Sequence, residues 1–409
     1  MQYLIGLDLG TSACKAVLVS PDGELSASHT VKTEFIYPKE GFVEISPAVY
    51  YKAVCSAIRG LVKELPKGSR VHAVSCAAAS GNTLLLDKKM QPLTNIISWL
   101  DTRGVGKEDE IAADIDVESV HSITGWPWSG RFPLVHLLWL KKYEEKKYRK
   151  AGHYGMALDW LYYRFTGRFV LDHSTAATFY LQNQLKQDYH EPFLTALEIQ
   201  KDRLPALQPS GTAVGTFTKE AAHDTGLDES TLLVSGSFDH PSAARAAAVF
   251  ENGQLLLSLG TSWVGFFPVK DRNPVIEQGL LCDPYLYPGG PFGAIFSIPA
   301  VGGNIDAYVN SLFAHQQPGS ERFAAFNRAA AEAEPGAGGL RINPFVKKEG
   351  AFVNGDDSIE DTVKTLLQKH SAADISRAVM EGAAFELKKR IDSLQPLGFA
   401  PTRINLSGG

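Results

Sequence analysis

The tetrapeptide Leu-Gly-Thr-Ser occurs twice in this chain, as Leu9-Gly10-Thr11-Ser12 and as Leu259-Gly260-Thr261-Ser262, about 250 residues apart. Each copy lies between two apolar, β-compatible runs. Tyr3, Leu4, Ile5 and Leu7 lead into the first, and Ala16, Val17, Leu18 and Val19 lead out of it towards a second turn at Pro21-Asp22-Gly23. The second copy sits inside Gln254 to Val269, Q-L-L-L-S-L-G-T-S-W-V-G-F-F-P-V. Apolar strands on either side of a turn with a glycine predict a hairpin. One such hairpin is an ordinary element with a polar turn. Two in the same context imply that a whole domain was duplicated, and that the chain folds as two related α/β domains whose hairpin tips can face a common cleft.

The polar atoms collect at those tips. Asp8 puts a carboxylate where a hydrated Mg²⁺ could sit, Thr11 and Ser12 offer hydroxyls and backbone N–H groups to phosphate oxygens, and Lys15 adds a positive charge. The second copy has Ser258 where the first has Asp8, so a metal-side carboxylate is expected only in the first half.

The chain has 409 residues, 44% hydrophobic and 21% charged, which is enough for two domains each with its own core. A formal charge of -5 with no basic block argues against nucleic acid or an anionic membrane as partner. The lysines from Lys141 to Lys150 alternate with Glu144 and Glu145 and read as a solvated helix face. Cys14, Cys55, Cys76 and Cys282 are scattered without metal-ligand spacing, which fits a reducing, cytoplasmic location. The first strand begins by Tyr3, leaving no room for a signal peptide, and no apolar run is long enough to cross a bilayer.

Several stretches between the hairpins carry candidate chemistry. Val71 to Ala77 reads as a strand running into Ala78-Ala79-Ser80-Gly81-Asn82, where small residues leave room for a ligand. Ile96 to Leu100 reads as a strand ending in Trp99-Leu100-Asp101-Thr102-Arg103. A ring, a carboxylate and a guanidinium together can hold a hydroxylated ligand by stacking and hydrogen bonds, or Asp101 and Arg103 can form a surface ion pair. Trp126-Pro127-Trp128-Ser129-Gly130-Arg131 is an aromatic loop that suits either a sugar site or a core. Pro133 to Tyr143 and Ala157 to Phe165 read as helices covering a cleft wall, and His136, His153 and His173 lack ligand spacing. Leu232 to Ser237 reads as a strand, followed by Phe238-Asp239-His240-Pro241 and a small-residue helix. Asp239 at this turn is either a helix cap or a general base approached across Gly236.

In the second half, Ile295 to Ile298 reads as a strand, Pro299 to Asn304 as a Gly-rich turn and Ile305 to Phe313 as a helix. Ala330 to Gly339 reads as a flexible connection. Ser371 and Asp374 make a capping box for a long helix with Ile375, Val379, Ala383, Leu387 and Ile391 along one stripe, and Ile404 to Gly409 is a last strand.

In this order the motifs resemble those of the FGGY carbohydrate kinases, over essentially the whole chain. Asp8 to Lys15 looks like the family's first phosphate motif and Leu257 to Ser262 like its second. Trp99 to Arg103 is similar to the sugar-site strand end, Gly236 to Asp239 to the segment with the catalytic aspartate, Arg377 to Gly382 to the helix before the adenosine motif, and Leu406-Ser407-Gly408-Gly409 to the opening of that motif. The resemblance implies two actin-like, ribonuclease-H-like α/β domains around a central cleft, spanning 1–244 and 245–409. It implies ATP and Mg²⁺ as cofactors, a small sugar or polyol as substrate, and allows a homodimer. By the same analogy Asp239 is the catalytic base and Asp8 the metal-side residue. Gly10, Thr11, Ser12, Lys15, Gly260, Thr261, Ser262, Gly408 and Gly409 hold the nucleotide, and Ser80, Gly81, Asn82, Trp99, Asp101, Arg103 and Asp239 the sugar.

The sequence also departs from the family pattern. Ala79-Ser80-Gly81-Asn82 stands where xylulokinases have Gln-Met-His-Gly, and the Arg-Glu pair of glycerol kinases is missing there. His136 replaces a signature lysine, which suggests a cleft wall suited to another polyol or an aldonate. Asn343-Pro344-Phe345-Val346 lacks the usual Gly-Glu-Arg-x-Pro after it. Relatives continue past the Gly-Gly of the adenosine motif, so the second domain is expected to be incomplete and ATP affinity to be weakened. A non-catalytic sugar- or nucleotide-binding switch of the same superfamily is the alternative to a kinase.

Overall fold

The computed structural model describes residues 1–79, 81–284, 290–344 and 358–408. The chain divides into two compact units, one of Met1–Ala246 with Val269–Ala294 and the other of Ala247–Pro268 with Ile295–Gly409.

Unit one is built on strands β1 (Gln2–Leu9), β2 (Ala13–Val19), β3 (Leu25–Lys32), β4 (Arg70–Ala78), β5 (Ala213–Thr216) and β6 (Leu232–Phe238), in the sheet order β5-β6-β4-β1-β2-β3. Alternation decides which face is buried: Tyr3, Ile5, Leu7 and Leu9 of β1 all point into the core. Helix α1 (Pro47–Val62) packs on β2 and β3, burying Tyr50, Val54, Ala57, Ile58 and Leu61. β1 and β6 both run parallel to β4, which lies between them, and Leu9 and Phe238 are both in register with Ala78. The C-terminal ends of β1 and β6 therefore emerge side by side, two strand spacings or about 10 Å apart. Such an edge of parallel strands is where α/β sheets place ligands. Between β4 and β5 the chain forms helices α2 (Pro133–Tyr143), α3 (Ala157–Thr166) and α4 (His173–Ala177), of which α3 and α4 pack on β6. Helix α5 (Asp239–Ala246) follows β6 directly.

Unit two repeats the arrangement with β7 (Gln254–Leu259) and β8 (Trp263–Val269) as the hairpin. Before the return to this unit the chain forms β9 (Leu281–Pro284), then β10 (Phe292–Ile298) and finally β11 (Arg403–Gly408). The strands run in the order β10-β8-β7-β11, with β11 parallel to β7 as β4 is to β1. Phe266, Phe267, Phe296 and Phe399 fill this core, and the ring of Phe296 lies where a side chain at Gly265 would stand. Helices α6 (Val301–Leu312), α7 (Ser320–Glu332), α8 (Ile359–Leu366) and α9 (Ala372–Asp392) close a second cluster around Tyr308, Phe326, Leu340, Val363, Ile375 and Val379.

The duplicated hairpins and the capping box hold: Asp374 N donates to Ser371 Oγ at 3.0 Å. The α9 stripe is buried through Ala383 and only half-buried at Leu387 and Ile391. Three boundaries differ. The strand at Ile96 stops at Ile97, because the chain turns from Ser98 to close the Asp101 loop. The glycines expected in a turn before a helix are in its first turn, since α6 starts at Val301. The stretch from Ala330, expected to be a flexible connection, continues α7 to Glu332 and then makes a tight turn. No helix among the described residues is long and apolar enough to cross a membrane.

Candidate active site

The first hook is set by strand register. Asp8 pairs with Lys15 across the hairpin, and their side chains form an exposed ion pair at 3.7 Å. The tip between them is pinned from both sides. Trp99 Nε1 donates to Thr11 Oγ1 at 3.0 Å, and Thr33 N donates to the Ser12 carbonyl at 3.0 Å. A Cβ at Gly10 would stand 3.1 Å from the Ala13 carbonyl, close but tolerable. Gly81, at φ +80°, lies under Trp99 and Phe132; a Cβ there would sit 2.8 Å from the Phe132 ring. Asn82 Oδ1 accepts from Ala157 N at 2.7 Å and so caps the start of α3. Ser80 and Gly409 lie outside the described residues.

Asp101 and Arg103 do not face a ligand. Asp101 is fully buried and Arg103 nearly so. The carboxylate takes Arg103 Nε and Nη2, each at 2.8 Å, and the backbone N–H of Val43 at 2.7 Å. Nη2 also donates to Glu44 at 2.6 Å, while the guanidinium lies 4.2 Å from the centroid of the Phe42 ring and 5.2 Å from that of Trp139. This correction has a physical cause. A bidentate pair with stacked rings is satisfied only when closed on itself, so it ties down the loop and leaves Trp99, 37% exposed, at the hook. His136 is also corrected. It is buried, bonded through Nδ1 to Thr83 Oγ1 at 3.1 Å, and burial pushes its pKa down to about 3, so it is a neutral core residue and lines no ligand wall. Trp126 is a core ring packed edge-on against Phe132, Tyr180 and Phe238.

Asp239 stands at the junction of β6 and α5. The register of β6 on β4 shifts between Val234 and Ser237, and Gly236 sits in that irregularity, where any Cβ would run into the Cys76 carbonyl. Gly236 N donates to Tyr162 Oη at 3.1 Å. The Asp239 carboxylate accepts from His240 N at 2.7 Å and keeps one-third of its side chain exposed. Burial raises its pKa above the usual carboxylate range, and the charge of Asp8 pushes the same way. A cavity of about 640 Å³ is lined by Asp8, Lys15, Ser75, Gly236, Ser237 and Arg245, among others.

Among the described residues no cluster of three or more His, Cys, Asp or Glu side chains could hold a metal alone. Asp8 by itself fits Mg²⁺, which keeps most of its waters and takes one or two carboxylates together with phosphate oxygens.

In the second hook Ser258 pairs with Val264, and Thr261 and Ser262 stand at the tip. The start of α6 is wedged against it: Gly302 N donates to the Thr261 carbonyl at 3.0 Å, and a Cβ on Gly302 would strike the Gly260 carbonyl. Gly408, at φ +109°, lies in register with Leu259.

A larger cavity, about 1190 Å³, lies between the 334–343 turn and α9, lined by Gly336, Gly338, Gly339, Ala378, Gly382 and Phe385. Gly336 N donates to Glu381 Oε1 at 3.0 Å, and Glu381 is held by Arg377 at 2.6 Å. Gly382 lets α9 approach the Ile342 carbonyl where a Cβ would collide. Sequence reasoning missed this slot and the Gly302 wedge. Their signal was glycine inside helices, where it costs about 1 kcal/mol and so calls for a packing reason.

Comparison with known proteins gives the chain a family. The model of the FGGY family of carbohydrate kinases, N-terminal domain, matches residues 3–245, and that of the C-terminal domain matches 255–409. The chain is 27% identical over 410 residues to a xylulose kinase of Klebsiella pneumoniae, covering 99% of this chain and 81% of the relative. It is 24% identical over 419 residues to a gluconokinase of Bacillus subtilis, covering 100% and 80%. The crystal structure of ligand-bound xylulose kinase from Lactobacillus acidophilus superposes with a TM-score of 0.84 at 23% identity, over 100% of this chain and 81% of that one.

Proposed function

The chain belongs to the FGGY family of carbohydrate kinases, and on that premise we propose that it transfers the γ-phosphate of ATP to a hydroxyl of a ketose, polyol or aldonate, with Asp239 as general base. The observation that carries this reading is the Asp239 turn. A partly exposed carboxylate of raised proton affinity stands at the ligand edge of the sheet, two strands from Asp8.

Asp239 accepts the proton of the sugar hydroxyl as its oxygen bonds to the γ-phosphorus. The bond from that phosphorus to the β–γ bridging oxygen breaks, and ADP leaves with the electron pair. Mg²⁺ held at Asp8 would supply charge neutralisation on the phosphates. Gly10 to Ser12 and Gly260 to Ser262 offer N–H and hydroxyl donors to phosphate oxygens, with Lys15 adding charge. The glycine-lined slot beside α9, together with Gly408 and Gly409, takes the adenosine. Trp99 over Gly81 gives the sugar a stacking face. Along the sequence the domains are assigned as 1–244, with sugar site and first phosphate motif, and 245–409, with the second phosphate motif and the adenosine site, the stretch from Val269 to Ala294 of the latter folding into unit one.

The test is ADP release measured with a panel of pentuloses, hexuloses, polyols and aldonates. One class of sugar should support turnover, and Asp239→Asn should cut it by about two to four orders of magnitude while sparing sugar binding. Undiminished turnover in that variant would remove Asp239 from the role.

A further inference from the structure

Behind the Asp239 turn lies a buried polar chain that the phosphoryl transfer does not use. Asp172 caps α4, its Oδ1 accepting from Thr175 N at 2.9 Å and from Ser210 Oγ at 3.3 Å. The cap fixes Ser174 in the first turn of α4. Phe238 N donates to Ser174 Oγ at 3.3 Å, and that hydroxyl donates in turn to Asp283 Oδ2 at 2.8 Å. The chain from Phe238 through Ser174 to Asp283 thus ends one residue before Asp239.

Asp283 comes from far along the sequence, on β9 beyond the second hook, yet it is fastened into unit one. Cys282 N donates to the Gly125 carbonyl at 2.7 Å, Gln184 Nε2 to the Cys282 carbonyl at 2.9 Å, and Arg272 to the Ser122 carbonyl at 2.9 Å. Asp283 is fully buried, and its Oδ1 has no hydrogen-bond partner among the described residues. A buried carboxylate with unfilled acceptor capacity is a costly way to hold one hydroxyl, and packing alone would be better served by an apolar residue. Burial raises its pKa well above the usual range; the Ser174 hydroxyl and the Arg245 charge pull it down, while the charges of Asp172 and Asp239 push it up.

We propose that Ser174 and Asp283 are positioning residues, which fix the peptide of Phe238 and thereby aim the Asp239 carboxylate at the reacting hydroxyl. This rests on the reading of Asp239 as the base. Neither residue touches substrate; both act through the backbone that carries Asp239. Gly236 is forced into its own close contact with β4, so the strand end before Asp239 is held by Tyr162 on one residue and by Ser174 on another.

Three variants test this. Ser174→Ala removes the bridging hydroxyl, Asp283→Leu removes its acceptor, and Asp283→Asn keeps an acceptor oxygen that cannot titrate. Ser174→Ala and Asp283→Leu should lower kcat by about 10- to 100-fold with the sugar KM nearly unchanged, as expected for a misaimed base. Asp283→Asn should restore kcat to within about threefold of the wild type. Amide hydrogen exchange, which needs no turnover, should quicken at Phe238 to His240 in the first two variants and not in the third. If Asp283→Leu fails to fold, Ser174→Ala carries the test alone. Unchanged kcat and exchange in Ser174→Ala, or an Asp283→Asn as impaired as Asp283→Leu, would overturn the proposal. Asp239→Asn assayed in parallel separates the two claims. Full turnover there sinks the base assignment while the exchange data still judge the brace, and an inactive Asp239→Asn beside a normal Ser174→Ala sinks the brace alone.

Discussion

In the first hook Asp8 faces Lys15 across the hairpin, whereas in the second Ser258 faces Val264. The backbones correspond closely. Each hairpin has a parallel neighbour at its tip, Ala78 of β4 beside Leu9 and Gly408 of β11 beside Leu259. What surrounds them differs. The first tip is held by the Trp99 indole and the Thr33 backbone N–H, and carries charge. The second is held by a helix start with Gly302 pressed on its carbonyls, and the residues paired across it, Ser258 and Val264, are uncharged. A duplicated backbone has thus kept one scaffold and taken its chemistry from residues outside the repeated tetrapeptide.

The strongest way to break this comparison is to remove the side-chain chemistry at the two equivalent positions. Asp8→Asn should cut turnover by about 10²- to 10³-fold at fixed Mg²⁺, whereas Ser258→Ala should stay within about threefold; equal losses would mean the hooks are not specialised. Melting of Asp8→Asn should hardly change, because an exposed ion pair contributes little.

Packing at the tips gives the next largest contrast. Gly302→Ala should destabilise the chain by about 1–3 kcal/mol in urea unfolding, through overpacking against the Gly260 carbonyl. Gly10→Ala should cost less, since its nearest neighbour is 3.1 Å away.

The pH dependence sharpens the electrostatic half. The raised pKa of Asp239 places the acid limb of kcat/KM above the ordinary value of about 4. Asp8→Asn removes a negative neighbour, so its residual activity should show that limb at lower pH. Stability follows the same sign. Asp283 binds its proton more tightly folded than unfolded, so its contribution is full below about pH 4 and is lost as pH rises through the folded pKa. The melting temperature of Asp283→Asn relative to wild type should therefore increase from pH 4 to pH 8.

The smallest effect concerns the side-chain pin. Trp99→Phe keeps a ring but loses the bond to Thr11 Oγ1, worth about 0.5–1.5 kcal/mol. It should raise the sugar KM a few-fold in initial-rate assays.

Much of this was legible in the sequence where the governing physics is local. The hairpins, the β6 to α5 turn at Asp239 and the Ser371 capping box all follow from short-range rules of alternation, turn chemistry and capping. The sites that misread depend on distant partners. Arg103 meets Asp101 two residues away, the ion pair the sequence offers, but its burial depends on Glu44, Phe42 and Trp139, which lie far along the chain. His136 becomes neutral because Thr83 and the core enclose it. The slot beside α9 exists only once the 334–343 turn docks on Glu381, so its glycines looked like slack chain.

The polypeptide passes between the two units three times, after Ala246, Pro268 and Ala294. In terms of inheritance, neither half is a free-standing cassette. A recombination event that joined the first half of one such enzyme to the second half of a relative with a single crossover near residue 246 would pair the Asp239 turn with a foreign β9. The Gly125 carbonyl and the Gln184 amide would meet a stranger, and so would Ser174. Successful shuffling, in nature or at the bench, must carry the stretch from 269 to 294 together with the first half, so the two lobes of the sequence are expected to descend as one.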